Sequence, residues 1–380
     1  MRSMTPNRRS LLLRDGKIPA VGTILLVVIS CILIAGLWPF NFIPANKAEW
    51  IANRNGIRFF GHGIIHNPEL LSIQRNASRS EAITIEIMVR PYQESNKGVT
   101  SILTLFDQQR EHFILCQWKT MLIIRVPSVK PDNTKRYREI GIASALERDT
   151  SHLVTVTSRT NATVIYVDGK LRKSAPNFSL VPRNKTISGR LVLGNSPEGT
   201  NPWNGSILGL AIHDRVLSSG EVLDNYKAWT RRGQPLFSET EKPIALYRFD
   251  ERSGDVIRDH SGNRNHLLLP ATFQPLRRVI LGVSGRDQWL GRNNLVDVSI
   301  NVLGFAPFGF FFAAWLHQGI NLSERRVFLI TILVGFCLSL AVELAQSYLP
   351  TRDSSLLDLA FNTLGAALGV ALFTTTRPRS

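Results

Sequence analysis

The sequence predicts a multi-domain chain, an α-helical bundle of four membrane spans joined to an all-β two-sheet sandwich. Two observations predict it. Residues 18–42 and 297–373 are almost wholly apolar, whereas the stretch between them reads as a water-soluble polypeptide. Within that middle stretch, apolar and polar residues alternate with the period of two that a half-buried strand requires. The length of 380 residues suits about two domains.

The first span runs without a charge from Ile18 to Trp38, long enough to cross a bilayer core. A cleaved signal peptide would also place basic residues before an apolar run. This run is longer than an ordinary signal core, and LWPFNFIP offers no small-residue cleavage site, so an uncleaved anchor is expected. Further spans are expected at 297–316, 327–349 and 356–373. Basic flanks set the orientation. Arg2, Arg8, Arg9, Arg14 and Lys17 precede the first span, Arg325 and Arg326 lie between the second and third, and Arg377 and Arg379 follow the fourth. Four spans put all three flanks on one side, so both termini are expected in the cytoplasm and residues 43–296 outside it. Arg277, Arg278, Arg286 and Arg292 run against this rule, but charge governs long translocated segments only weakly. The expected division is a tail at 1–17, a span at 18–42, the sandwich with a C-terminal extension at 43–275, a juxtamembrane linker at 276–296, three spans at 297–373 and a tail at 374–380.

A net charge of +16 raises nucleic acid as a partner. The basic residues are spread along the chain or flank apolar spans, and no nucleic-acid motif accompanies them, so the expected partner is the lipid bilayer and no nucleic acid. Three cysteines cannot supply a disulfide framework, because Cys31 and Cys337 lie in apolar spans and Cys116 stands alone in the middle region. Cys116 is read as a small buried hydrophobe.

The middle region yields its strands in order. AITIEIMVR alternates, SHLVTVTSRT and NATVIYVDGK form neighbours, and Asp168-Gly169 marks a tight turn. GRLVLGNS and NGSILGLAIHD continue the series, and one helix follows, signalled by Ser218 three residues before Glu221. In that order, TIEIMVRP, TVIYVDGKL, GRLVLGN, PWNGSILGLAIHDRVLSSGEV and NYKAW resemble the concanavalin A-like, laminin G-like jelly rolls. ALYRFDERSGDVIRDHSGNRNHLLLP, at 245–270, resembles a segment usually found near the start of such domains, and is read as an added edge hairpin or the remnant of a second copy. The resemblance implies binding of a glycan or an envelope protein. Hydrolysis is not expected, because no clustered acid motif such as E-x-D-x-x-E occurs. Asp259, Asn263 and Asn265 are oxygen-bearing side chains that calcium could use, but an Asx-rich turn explains them more simply, and no cofactor is expected. Sequons at Asn76, Asn161, Asn177, Asn184 and Asn204 are of the kind that arises by chance in an Asn- and Ser-rich domain.

The apolar runs hold a second signal. Asp297, Asn301, Glu343, Gln346, Asp358 and Asn362 lie within or at the ends of the spans, with Arg352 in the connecting loop. Such groups are costly in lipid and face a protein interior or an aqueous cavity. The topology brings them to one depth, the outer leaflet, with Glu343 about 9 Å below Leu349 at the rise of a helix. Arg352 is expected within reach of a carboxylate. Gly304, Gly309, Gly365 and Gly369 permit close helix approach, and Pro307 is expected to kink its span. A ligand site and a set of groups that tie the helices together account for this cluster equally well. No catalytic residue is assigned.

LWPFNF, NVLGFAPFGFFFA and LAVELAQSYLPTRDSSLLDLAFNTLGAALG resemble the VanZ family of small bacterial membrane proteins. The resemblance covers all four spans, with the sandwich standing between the first and second. It implies a bacterial inner-membrane protein with a role in the cell envelope, related to teicoplanin resistance or to handling a lipid-linked or cell-wall molecule at the outer leaflet. Two other readings are a membrane-anchored lectin-like receptor, for which one span would suffice, and an intramembrane enzyme using Glu343 or Asp358. The second lacks a histidine, metal cluster or activated nucleophile beside those carboxylates.

Overall fold

A computed structural model describes residues 8–73, 82–92, 95–108, 110–128, 137–181, 187–282, 292–320 and 322–376. It divides into two compact units, one formed by Met1–Phe42 with Arg278–Ser380 and the other by Ile43–Arg277. The sequons at Asn76 and Asn184 and residues 283–291 of the expected linker lie outside the described residues.

The helical unit begins with α1 (Arg8–Leu37). The second unit then opens with β1 (Ala48–Trp50), β2 (Ile57–Phe59), β3 (Ile65–His66), β4 (Leu71–Ile73), β5 (Ala82–Pro91) and β6 (Ser95–Phe106). Next come β7 (Glu111–Lys119), β8 (Met121–Pro127), β9 (Tyr137–Ile142), β10 (His152–Arg159), β11 (Ala162–Val167) and β12 (Lys170–Pro176). After β13 (Ile187–Leu193) and β14 (Gly205–His213), α2 (Ser219–Arg232) leads to β15 (Ala245–Tyr247), β16 (Val256–Ile257) and β17 (Leu267–Leu268). The helical unit is completed by α3 (Arg292–Gly319), α4 (Glu324–Gln346) and α5 (Leu356–Thr376).

All described pairings between named strands are antiparallel. One sheet has the order β1-β2-β14-β5-β10-β11-β12, with β15 also on β14. The other has the order β16-β17-β3-β13-β6-β7-β8-β9, with β4 also on β13. The period of two puts Ile83, Ile85, Ile87 and Val89 of β5 and Val154 and Val156 of β10 into the core, where they meet Leu103, Leu105, Phe113, Leu115 and Leu191 of the facing sheet. The β11–β12 hairpin turns at Asp168 and Gly169, both at positive φ, as a two-residue turn matched to strand twist requires.

Helix α2 starts on the expected capping box, with Ser218 and Glu221 each accepting from the other's backbone N–H, and ends on left-handed Gly233. It covers the outer face of the first sheet, where Trp229 packs with Leu153, Ala211 and Leu246. Strand β5 is therefore buried on both faces, and its polar positions Thr84 and Glu86 are covered rather than solvated. The 245–270 segment belongs to the same sandwich. It gives one strand to the first sheet and an edge hairpin to the second, so a separate second copy is not what it forms.

Among the described residues of the helical unit, four helices are long and apolar enough to cross a membrane. Helix α1 starts ahead of the expected span and ends at Leu37, short of residue 42. Helix α4 stops at Gln346 rather than Leu349, because the chain tightens into short-range bonds from Tyr348 to Ala345 and from Leu349 to Gln346. Helix α3 continues through Pro307. Helices α3 and α5 approach through glycine: a Cβ at Gly365 or Gly369 would land on the backbone of Val302 or Ala306, and one at Gly309 on that of Ala366. Gly304, expected to share this role, faces open space.

Candidate functional site

The polar residues of the apolar helices are built around the start of α5. Ser355 precedes that helix, and its hydroxyl accepts from the N–H groups of Leu357 and Asp358 at 3.2 and 3.4 Å. The Ser355 N–H donates to Glu343 Oε2 at 2.8 Å, so a carboxylate 1% exposed sits where the helix presents its positive end. Asp358, in the first turn of α5, accepts from Asn301 Nδ2 of α3 at 2.7 Å. One turn further along, Asn362 Nδ2 donates to Ser339 Oγ of α4 at 3.0 Å, both residues being buried. The strap at 279–282 closes over this region, with Gly282 N–H donating to Ser354 O and Leu356 N–H to Gly282 O.

The remaining members serve the end of α1. A helix leaves its last carbonyls without partners, and lipid offers none. Gln346 Nε2 donates to Gly36 O at 2.9 Å. Arg352 donates from Nε and Nη2 to Trp38 O at 3.1 and 2.9 Å, and from Nη2 to Ala35 O at 3.3 Å. The expectation that Arg352 reaches a carboxylate is thus corrected: its guanidinium goes to the negative end of α1. Asp297 is exposed on α3, within electrostatic range of Asp358. The structure therefore brings Asn301, Glu343, Asp358 and Asn362 into contacts among α3, α4 and α5, and directs Gln346 and Arg352 to α1.

In the sandwich, both Asp259 oxygens are occupied by donors. Oδ1 accepts from the N–H groups of Leu246 and Ser261, and Oδ2 from Ser261 Oγ and the Asn265 N–H. Asn263 and Asn265 turn their amide nitrogens onto Ile244 O at 3.1 and 2.8 Å. This is the bonding of a turn that fastens the extension to β15.

Two groupings had no counterpart in the sequence reading. Glu86, fully buried, accepts from His213 Nε2 at 3.0 Å and from Asn225 Nδ2 at 3.1 Å, tying α2 to the sheet. The signal was a lone acid in AITIEIMVR, but nothing local shows that a helix covers it. Asp250, Glu251 and His260 bring their potential metal-binding atoms within 4.8 Å of one another. Arg248 Nη2 lies 3.2 Å from His260 Nδ1. A guanidinium can only donate, so Nδ1 accepts from Arg248, and Nε2 stands 3.5 Å from Asp250 Oδ1 and 4.0 Å from Glu251 Oε1. Cys116, buried on the outer face of the second sheet, has its thiol pushed up to about 12 by burial, which makes it inert.

These units define a chain with a membrane-type helical unit and a lectin-type sandwich. Residues 245–377 match the family described as VanZ/LLP1, and residues 70–223 match the concanavalin A-like lectin/glucanases superfamily. The chain thus carries a VanZ-like domain and a laminin G-like, concanavalin A-like domain. No curated protein matches the chain. Similar solved structures include a native heptameric SAP-like pentraxin from Limulus polyphemus, 14% identical over 48% of this chain and 80% of that one, with a TM-score of 0.34. A Bacteroides ovatus protein to which carbohydrate binding is attributed is 15% identical over 62% of each chain, with a TM-score of 0.39, so this chain covers less than two thirds of it. The CBM40 of the Ruminococcus gnavus IT-sialidase, bound to α2,3-sialyllactose, is 17% identical over 45% of this chain and 95% of that one, with a TM-score of 0.33. At such identities the likeness is one of fold alone.

Proposed function

We propose that this is a multi-pass protein of a bacterial cell envelope, whose helical unit anchors it in the inner membrane and whose sandwich binds a glycan outside the cytoplasm. Teicoplanin resistance, or the handling of a lipid-linked or cell-wall molecule at the outer leaflet, would be the cellular outcome of that arrangement. The supporting observation is the union in one chain of a VanZ-like helical domain with a concanavalin A-like sandwich. The polar end of the helical unit adds to it. Glu343 and Asp358 stand beside each other at the start of α5, where an aqueous or headgroup-facing end satisfies them better than the bilayer centre does. A tether reading of the helices draws support from Gln346 and Arg352, which bond to α1 itself.

The test is binding by the full chain reconstituted in lipid nanodiscs and applied to a saccharide array that includes peptidoglycan fragments. Retention on saccharides above that of empty nanodiscs is expected. Uniform background across the array would contradict the glycan reading.

A further inference from the structure

The two sheets end together at one side of the sandwich. Strand β1 is the last strand of the first sheet and β16 the last of the second. Between these edges lies a cleft of about 470 Å³, lined by β1, residues 254–255 and residues 268–271. That volume is in the range of small-molecule sites and suits one or two sugar rings.

Its walls are held in place by hydrogen bonds independent of any ligand. Trp50 Nε1 donates to Gly254 O at 2.7 Å, joining the two edges. Asn46 spends its side chain on the floor, donating to Ile64 O and Pro270 O at 2.8 Å each and accepting from Ile64 N–H at 2.9 Å. Leu269 N–H donates to Asp255 O at 2.7 Å. A preformed cleft does not have to be ordered by its ligand, which lowers the cost of binding.

The chemistry of the lining is mixed in the way a sugar ring is. Trp50, Leu268 and Pro270 offer apolar surface for the C–H faces of a ring. Glu49 and Asp255 add two exposed carboxylates, acceptors for hydroxyl or ammonium hydrogens. Arg58, which is not part of the lining, lies 3.9 Å from Glu49. The lining itself contains two acids and no base, so an anionic sugar would meet repulsion.

We infer that the cleft between β1 and the β16–β17 hairpin is the sandwich's saccharide site and selects uncharged or amino sugars over acidic ones. This rests on the glycan-binding reading above and assigns it to particular residues.

Titration calorimetry on the full chain in nanodiscs tests it, with the N-acetylglucosamine disaccharide, glucosamine, lactose and sialyllactose as probes. At least one of the first three should bind and sialyllactose should not. Glu49→Gln and Asp255→Asn should each weaken binding about tenfold, the worth of one hydrogen bond to a charged acceptor. Both side chains are exposed, so the melting temperature should be unchanged. Wild-type affinity in both variants would overturn the site while leaving glycan binding by the sandwich standing. Preference for sialyllactose would overturn the selectivity. Failure of the wild-type chain to bind any of these probes or any saccharide on an array would overturn both the site and the glycan reading.

Discussion

Arg352 and Glu343, a base and an acid near the same end of the helical unit, both bond to backbone. Arg352 binds the carbonyls of Ala35 and Trp38, and Glu343 accepts from the Ser355 N–H. Their variants should therefore separate by what is left unpaired. Glu343→Gln keeps an oxygen for Ser355 and should change detergent-phase thermal stability little. Glu343→Leu leaves the half-buried Ser355 N–H without this acceptor and should cost about 1–3 kcal/mol. Arg352→Gln, at an exposed position, should cost less than about 1 kcal/mol. Equal loss in both Glu343 variants would show that the charge, rather than the acceptor, holds the end of α5. The polar positions were legible because charges and amides stand out in an apolar run. Their partners were not, because backbone carbonyls leave no mark in a sequence. A second residue-scale expectation concerns His66 and His112, both held below the ordinary histidine value of 6.5, chiefly by burial. Asp107 opposes this at His112 without reversing it. Between the lowered folded value and 6.5 the unfolded chain binds more protons, so stability rises with pH across that window. The sandwich should be fully supported by these residues above about pH 6.5 and lose that support as pH falls through the folded values. Replacing both with Gln should flatten the pH dependence of its melting, followed by circular dichroism of its strands.

At the scale of elements, the α3–α5 crossing rests on missing side chains. A Cβ at Gly365 or Gly369 meets backbone, which cannot swing aside as a side-chain tip can. Gly365→Leu and Gly369→Val should each cost about 1–3 kcal/mol or displace the helices. Gly304→Ala meets nothing within 4 Å and should be neutral or slightly stabilising. Thermal unfolding of the detergent-solubilised chain distinguishes them, and an equal penalty at Gly304 would contradict the packing described. Glycine spacing showed which residues permit close approach but not which face meets a neighbour, so Gly304 was read with the others. Gly335, whose Cβ would sit 2.7 Å from that of Ala366, escaped notice because it stands alone in α4. Strand periodicity and the Ser218–Glu221 cap were local features and were readable. The split of residues 245–270 between two sheets depends on pairing with β14 and β3, distant in sequence, which no local period encodes.

At the scale of the whole molecule, one chain combines a helical unit with apolar residues turned outward, among them Leu26, Leu303, Leu333 and Leu368, and a sandwich with its own core. The outward-facing leucines suit contact with lipid. The alternation of apolar runs with a soluble stretch made this division visible at once. The cleft proposed for sugar was invisible, since its lining comes from residues 46–50 and 254–271, brought together only when the two sheets close. The account as a whole depends on the sandwich standing on the opposite side of the membrane from Arg325, Arg326, Arg377 and Arg379. Paired reporter fusions, active on one side of the membrane or the other, test this directly when placed after residues 250, 322 and 378. The account predicts an extracytoplasmic signal at 250 and cytoplasmic signals at 322 and 378. A cytoplasmic signal at 250 would contradict it.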